Sequence, residues 1–346
     1  MKWNKYVSVI LFGALIAVSL FLAFSCSNTA SYAQHILFAM DTVIEIDLPV
    51  GSESSLFQQC EELIRSSEAL FSKTTADSDV SHFNCEESRA LISEETGSLI
   101  AEALRFSWET GGAFDITVEP LSALWDVTGA APRVPDESEI TDALQSVGYE
   151  KLSLILLEDE AELVKSNPST RIDLGAIAKG YTCSQLVQYL MEEGVPYGKL
   201  SFGGNLGLFG EKPDGTPWRV GIKNPLAPDT IAAYISVPAR FVSVSGDYER
   251  YFEADGKRYH HIIDPHDGYP ADNGICSAVV VAEDGALADA LSTALFVMGK
   301  DEAITFSQTS PLSFEAVLFC KDGTVWASSG LRPSLELNGS DFSLTE

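Results

Sequence analysis

The stretch Arg171-Ile172-Asp173-Leu174-Gly175-Ala176-Ile177-Ala178-Lys179-Gly180-Tyr181 places the tightest demand on how this chain folds. It reads as a short strand over 171–174, a glycine that permits a sharp turn, and a helix running to Glu193 and stopping at Gly194. The first N–H groups of such a helix lack partners and favour an anion. Lys179 falls in that first turn, where a cation opposes the helix dipole. An anion such as a phosphate between them would remove the conflict. Read alone, the stretch is equally a strand–helix junction with a surface lysine, because short glycine motifs recur by chance.

The chain has 346 residues, enough for one large domain or two intimately packed ones. Its net charge of −28 argues against nucleic acid, which needs a basic face, and against charge-driven binding to anionic lipid. A phosphate ester bound by so acidic a protein needs local neutralisation by a metal or a few Lys and Arg side chains.

Lys2 and Lys5 precede an apolar run over 6–24, followed by Ser25-Cys26. This order describes an export signal, and a cysteine directly after the small residue resembles the lipobox of bacterial lipoproteins. The expectation is a signal peptide over 1–25, acylation of Cys26, and a tether over 26–35 leading to one domain over 36–335. The protein is then held on the extracytoplasmic side of the cell membrane by a lipid anchor. An uncleaved transmembrane anchor is the alternative and places the body on the same side. Cys60, Cys85, Cys183, Cys276 and Cys320 are odd in number and lack a C-x-x-C pair, so neither a disulfide framework nor a zinc site is indicated.

Residues 35–49 read as a strand, with Ile44, Ile46 and Leu48 on one face. Met40 is either core or a thioether packed on a flat ring. Ser52 is placed to cap a helix whose face carries Cys60, Ile64 and Phe71. A second helix over 96–110 ends at Gly111-Gly112, and a third runs from Asp136 to Gly148. Between them, Asp115 and Thr117 are turn-formers or groups that reach a bound ring. A hairpin over 151–157 and 161–165 leads into the Arg171 stretch. Beyond 198 the chain is strand-rich. One strand ends at Gly203-Gly204-Asn205, where another backbone or a ligand comes close. Asp255-Gly256 marks a hairpin turn. His260 and His261 fall on opposite faces of a strand, which favours one surface and one site histidine over a metal site shared with His266. Asp289 and Thr293 stand one helical turn apart, as a carboxylate and hydroxyl for a hard cation or as a capping and back-bonding pair.

Taken in order, these stretches resemble the FAD:protein FMN transferases, the ApbE-type flavin transferases. The resemblance rests on Met40-Asp41-Thr42, Phe114-Asp115-Ile116-Thr117, the run from Asp173 to Tyr181, Gly203-Gly204-Asn205, Ser245-Gly246-Asp247, His261-Ile262-Ile263-Asp264-Pro265, and Ala288-Asp289-Ala290 through Thr293. It implies an α+β fold: a mixed, largely antiparallel sheet core with packed helices, in two lobes with an FAD cleft between them. It implies FAD as substrate and Mg²⁺ held by Asp289, Thr293 and the carbonyl of Ala176. Met40, Asp115, Thr117, Asp173, Lys179, Gly203, Gly204, Asn205, Ser245, Asp247 and His261 would contact FAD. His261 would act as the general base, with Asp247 as the alternative. The implied partner is an acceptor flavoprotein with a threonine in a short Asp-Gly/Ser-Ala-Thr-type motif, such as a subunit of an extracytoplasmic redox pump or electron-transfer chain.

Two positions depart from the family pattern. Thr74 stands where many members carry a tyrosine near the adenine, and Asp41 replaces a glycine. Some relatives that differ at the first place hydrolyse FAD to FMN and AMP. A Mg²⁺-dependent FAD pyrophosphatase is therefore the runner-up, and a non-catalytic flavin-binding lipoprotein the reading from another class.

Overall fold

The computed structural model describes residues 32–345. The expected signal peptide, Cys26 and most of the expected tether lie outside them. β1 (Tyr32–Ala39) and β2 (Thr42–Pro49) form a hairpin closed by Met40 and Asp41. Helices α1 (Ser54–Phe71) and α2 (Asp79–Cys85) lead to β3 (Arg89–Ser93) and α3 (Glu94–Glu109). Then α4 (Glu119–Trp125) and α5 (Glu137–Leu144) precede the hairpin of β4 (Leu152–Leu156) and β5 (Glu160–Lys165). Helix α6 (Ala178–Glu192) feeds β6 (Tyr197–Phe202) and β7 (Asn205–Gly210). Next come β8 (Trp218–Asn224), β9 (Ala227–Val237), β10 (Phe241–Gly246) and the hairpin of β11 (Tyr251–Ala254) and β12 (Lys257–His260). The described chain closes with β13 (Ile275–Ala282), α7 (Gly285–Met298), α8 (Lys300–Thr309), β14 (Phe314–Cys320), β15 (Thr324–Ala327), β16 (Leu335–Leu337) and β17 (Ser343–Leu344).

The fold is α+β. Among the described residues nine strands form the main sheet in the order β1-β2-β6-β7-β10-β13-β14-β15-β17, and of these pairings only β15–β17 is parallel. The small sheet β16-β9-β8 packs on one face, through Trp218, Ile222, Ile235, Val279 and Phe319. Helices α6 and α7 pack on the other, and α3 lies behind α7 against the separate sheet β3-β5-β4. β13 is covered on both sides and buried along its whole length, which explains its unbroken apolar run. α7 is apolar on nearly every face and runs through the interior, so its few polar side chains sit inside the protein.

Three expectations need correction. Residues 171–174 form no strand, because the Asn84 side-chain amide, not a neighbouring strand, bonds both the N–H and the C=O of Ile172. Residues 35–49 are not one strand. Met40 and Asp41 both adopt left-handed φ, +50° and +56°, and fold the segment back on itself. Ser52 does not cap α1, since its hydroxyl donates to Pro49 O and the cap position is Glu53. Smaller shifts are that α5 stops at Leu144 and α6 begins at Ala178, after a turn through Gly175.

The crossing of α6 over α7 requires glycine on both helices. A Cβ at Gly180 would lie 2.0 Å from Gly285 O and 2.7 Å from Asp289 Cβ, and one at Gly285 would lie 2.3 Å from Gly180 O. The backbone of α6 therefore approaches α7 closely enough to hydrogen-bond to it. Gly180→Ala is expected to cost about 1–3 kcal/mol by overpacking, and to lower activity by pushing the helices apart. Urea denaturation of both proteins checks the first effect.

Candidate functional site

The close approach of the two helices places the N-terminal turn of α6 against a carboxylate. Asp289 on α7 is only 5% exposed. Its Oδ2 accepts the Gly180 N–H at 3.0 Å, and its Oδ1 accepts the Asn205 side-chain amide at 3.1 Å. Ser243 Oγ lies 3.5 Å from Oδ1. A chain of hydroxyls extends the cluster: Ser292 Oγ is 3.1 Å from Ser243 Oγ and 2.8 Å from Ser245 Oγ. Ser245 Oγ is in turn 3.3 Å from Thr293 Oγ1. β7, β10, α6 and α7 thus converge, and sequence spacing placed Asp289 and Thr293 correctly on one helix face.

Gly180 is the third residue of α6, so its N–H is one that the helix itself leaves unpaired, and Asp289 takes it. Ahead of the helix, the Ala176 carbonyl has no hydrogen-bond donor among the described residues. Lys179 bends back, its ammonium donating to Gly175 O and standing 4.0 Å from Asp289 Oδ2. The available donors are a carboxylate, hydroxyls and an unpartnered carbonyl, all hard oxygens, so the residues present fit Mg²⁺. Among the described residues no group of three or more His, Cys, Asp or Glu is arranged to hold a metal ion.

Asp173 holds the turn that precedes α6. Its Oδ1 accepts the Gly175 N–H at 2.8 Å and its Oδ2 pairs with Lys73 at 2.7 Å. Burial raises the pKa of Asp173, but the charge and hydrogen bond of Lys73 and the Gly175 N–H outweigh it and leave the group below the ordinary carboxylate value. Sequence reasoning missed Lys73, which sits in an unpatterned loop. Next to it, Thr74 is exposed and its hydroxyl lies 3.1 Å from Ser72 Oγ. Ser243 and Ser292 were also missed. The period-two repeat with Ser245 and the three-residue step from Asp289 were their signals.

Asp115 and Thr117 lie inside the fold. Both oxygens of Asp115 are engaged, with Thr117 N–H and Oγ1 at 2.7 Å each and Tyr149 N–H at 2.8 Å, while Thr117 Oγ1 accepts the Gly148 N–H at 2.7 Å. They pin the segment before α4 to the turn after α5. At Gly204 the approaching group is backbone: Val244 donates to Gly204 O at 3.0 Å, and a Cβ on Gly204 would lie 2.8 Å from Val244 O; at Gly203 it is the Thr42 side chain, whose Oγ1 would lie 2.5 Å from a Cβ.

The two candidate bases differ in what already occupies them. Asp247 is buried, its pKa raised by desolvation and partly restored by Lys321, whose ammonium is 3.6 Å away. His261 Nδ1 lies 3.2 Å from Arg250 O. A carbonyl only accepts, so Nδ1 carries the proton and Nε2 keeps a bare lone pair. Among the described residues Nε2 has no hydrogen-bond partner. Burial, the Arg250 charge and His260 all push the imidazole below its ordinary pKa, so it is neutral at pH 7.

His260 and His266 have other duties. His260 Nε2 donates to Ala271 O at 2.9 Å and Nδ1 accepts the Ile262 N–H at 3.3 Å, which holds the loop behind His261. His266 is exposed and bonded to Asp264 and Gly111 O. Burial pushes His260 down to about 4. Between about pH 4 and 6.5 the unfolded chain therefore binds the proton that the folded one refuses, and stability rises with pH across that window. We expect the unfolding free energy to drop by roughly 2–3 kcal/mol more in the wild type than in His260→Gln between pH 7.5 and 4.5, as read by urea denaturation.

This geometry has close counterparts. Residues 40–318 match the ApbE family. The FAD:protein FMN transferase of Vibrio cholerae is 32% identical over 295 residues, covering 83% of this chain and 86% of that protein. That of Haemophilus influenzae is 31% identical over 282 residues, covering 79% and 81%. The crystal structure of the ApbE protein from Thermotoga maritima superposes with a TM-score of 0.81 at 34% identity, over 88% of this chain and 99% of that one. Flavin transferase ApbE from Vibrio cholerae superposes with a TM-score of 0.78 at 29% identity, over 88% and 100%. A match that spans nearly all of the described chain, in sequence and in shape, settles its kinship: the chain belongs to the ApbE family.

Proposed function

We propose that this protein transfers the FMN half of FAD to a threonine hydroxyl of an acceptor protein and releases AMP. The observation that carries the reading is the meeting of Asp289 with the Gly180 N–H and Lys179 at the first turn of α6, with His261 near enough to feel the Lys179 charge and carrying an open Nε2. The relatives named FAD:protein FMN transferase support it.

His261 Nε2 takes the proton of the threonine hydroxyl as its oxygen bonds to the phosphorus on the FMN side. The bond from that phosphorus to the AMP phosphate oxygen breaks, and AMP leaves with the electron pair. Lys179 faces the charge that gathers on the departing phosphate with its ammonium and with its own N–H, since the neighbouring Ala178 and Gly180 N–H groups are already bonded to Leu174 O and Asp289. Asp289, Thr293 and the Ala176 carbonyl would hold Mg²⁺, which supplies charge neutralisation across the pyrophosphate. Asp173, steadied by Lys73, keeps the turn before α6 in shape. Met40 and the Gly203-Gly204-Asn205 corner line the flavin and adenosine side, with Asp115 and Thr117 shaping its wall. Ser245 joins Thr293 to the hydroxyl chain.

The acceptor is an extracytoplasmic flavoprotein, such as a redox-pump or electron-transfer subunit, with its threonine in a short Asp-Gly/Ser-Ala-Thr-type motif. The signal sequence ahead of Cys26 supports lipid anchoring on the outer side of the cell membrane. The test is the intact mass of such an acceptor after incubation with FAD, Mg²⁺ and the full-length protein. A gain of one FMN is expected; free FMN and AMP without a gain would instead identify a hydrolase, with Thr74 as its signature.

A further inference from the structure

Arg250 stands between the Met40-Asp41 turn and His261 and touches both. Its guanidinium donates to Asp41 O at 2.9 Å, across 209 residues of sequence. Its own carbonyl accepts the His261 N–H at 3.1 Å and lies 3.2 Å from His261 Nδ1. In a protein of net charge −28, this arginine forms no ion pair among the described residues and spends its hydrogen bond on a carbonyl.

The turn it holds resists its own conformation. Met40 and Asp41 both sit at positive φ without being glycine. Residues held there cost free energy and persist only where the surroundings over-determine them. Two outside groups do so: Glu68 accepts the Met40 N–H at 2.6 Å on one side, and Arg250 donates to Asp41 O on the other. Glu68 belongs to α1, whereas Arg250 belongs to the segment that orients the base.

We propose that Arg250 is a positioning residue that ties the Met40-Asp41 turn to His261, so that the flavin-side turn and the base keep one fixed relation. This rests on the reading of FAD as substrate and His261 as base. The side chain supplies the tie and the main chain supplies the tautomer. Removing the guanidinium therefore leaves His261 with the same bare Nε2, in a site whose two halves are no longer registered.

The experiment measures kcat and KM for FAD in FMN transfer by the full-length protein, with Arg250→Met, which keeps the aliphatic stem, and Arg250→Lys, which keeps a donor. We expect kcat/KM to fall about tenfold in Arg250→Met and to recover to within about threefold of wild type in Arg250→Lys. In a His261→Ala background, Arg250→Met should cost less than about twofold, because the partner whose alignment it serves is gone. Equal activity of Arg250→Met and wild type, a lysine variant as poor as the methionine one, or the same tenfold cost without His261 would overturn the proposal. If Arg250→Met fails to fold, the same cycle run with Arg250→Lys decides. A wild-type protein that leaves the acceptor unmodified would instead overturn the functional reading itself.

Discussion

Asp289→Ala is expected to reduce FMN transfer by at least about a thousandfold, the scale of losing an electrostatic centre that acts directly on the reacting phosphates. The carboxylate is the anionic member of the oxygen cluster and is buried where β7, β10, α6 and α7 meet. Its loss leaves the Gly180 N–H and the Asn205 amide without their acceptor. Stability should suffer too, by about 1–3 kcal/mol for the stranded donors. Asp289→Asn separates the two effects. It keeps the shape and one acceptor but not the charge, so it should fold nearly as well and transfer as poorly. Calorimetric titration with Mg²⁺ provides the reading independent of activity: heat of binding in the wild type, none in either variant.

The second large effect falls on His261. Its replacement by alanine should lower kcat by about 10²–10⁴, the range for losing a positioned general base, with little change in KM for FAD. Arg250 O fixes the proton on Nδ1, and Nε2 is left as an acceptor with no partner among the described residues. Asp247 is a poorer candidate because Lys321 already lies beside its carboxylate. Asp247→Asn should therefore reduce kcat far less than His261→Ala does. The reverse order of the two variants would exchange their roles.

Much of this site was legible in sequence because its chemistry is local. Asp289 and Thr293 share a helix face through simple periodicity, and Lys179 follows a glycine turn that opens a helix. The contacts that set their exact relation are not local. Lys73 meets Asp173 and Arg250 meets Asp41 only after the chain has folded, and neither pair leaves a pattern in a single sequence. Asp115 and Thr117 were visible as a motif, yet their oxygens face one another and the turn after α5, something no spacing rule conveys. The strand expected over 171–174 failed because one side chain, Asn84, supplies the hydrogen bonds that a neighbouring strand would have given. The split of β1 from β2 was hidden because its turn uses Met40 and Asp41, not the Asn-Gly or Asp-Gly that announces such a turn.

The most direct measurement of the central claim is the ratio of AMP released to acceptor modified in a single reaction mixture of the full-length protein, FAD, Mg²⁺ and a protein bearing the acceptor threonine. Transfer predicts one AMP for each FMN-modified acceptor, no free FMN, and loss of both products when the acceptor threonine is replaced by valine. AMP and free FMN accumulating together, at a rate indifferent to that replacement, would contradict it and make water the nucleophile.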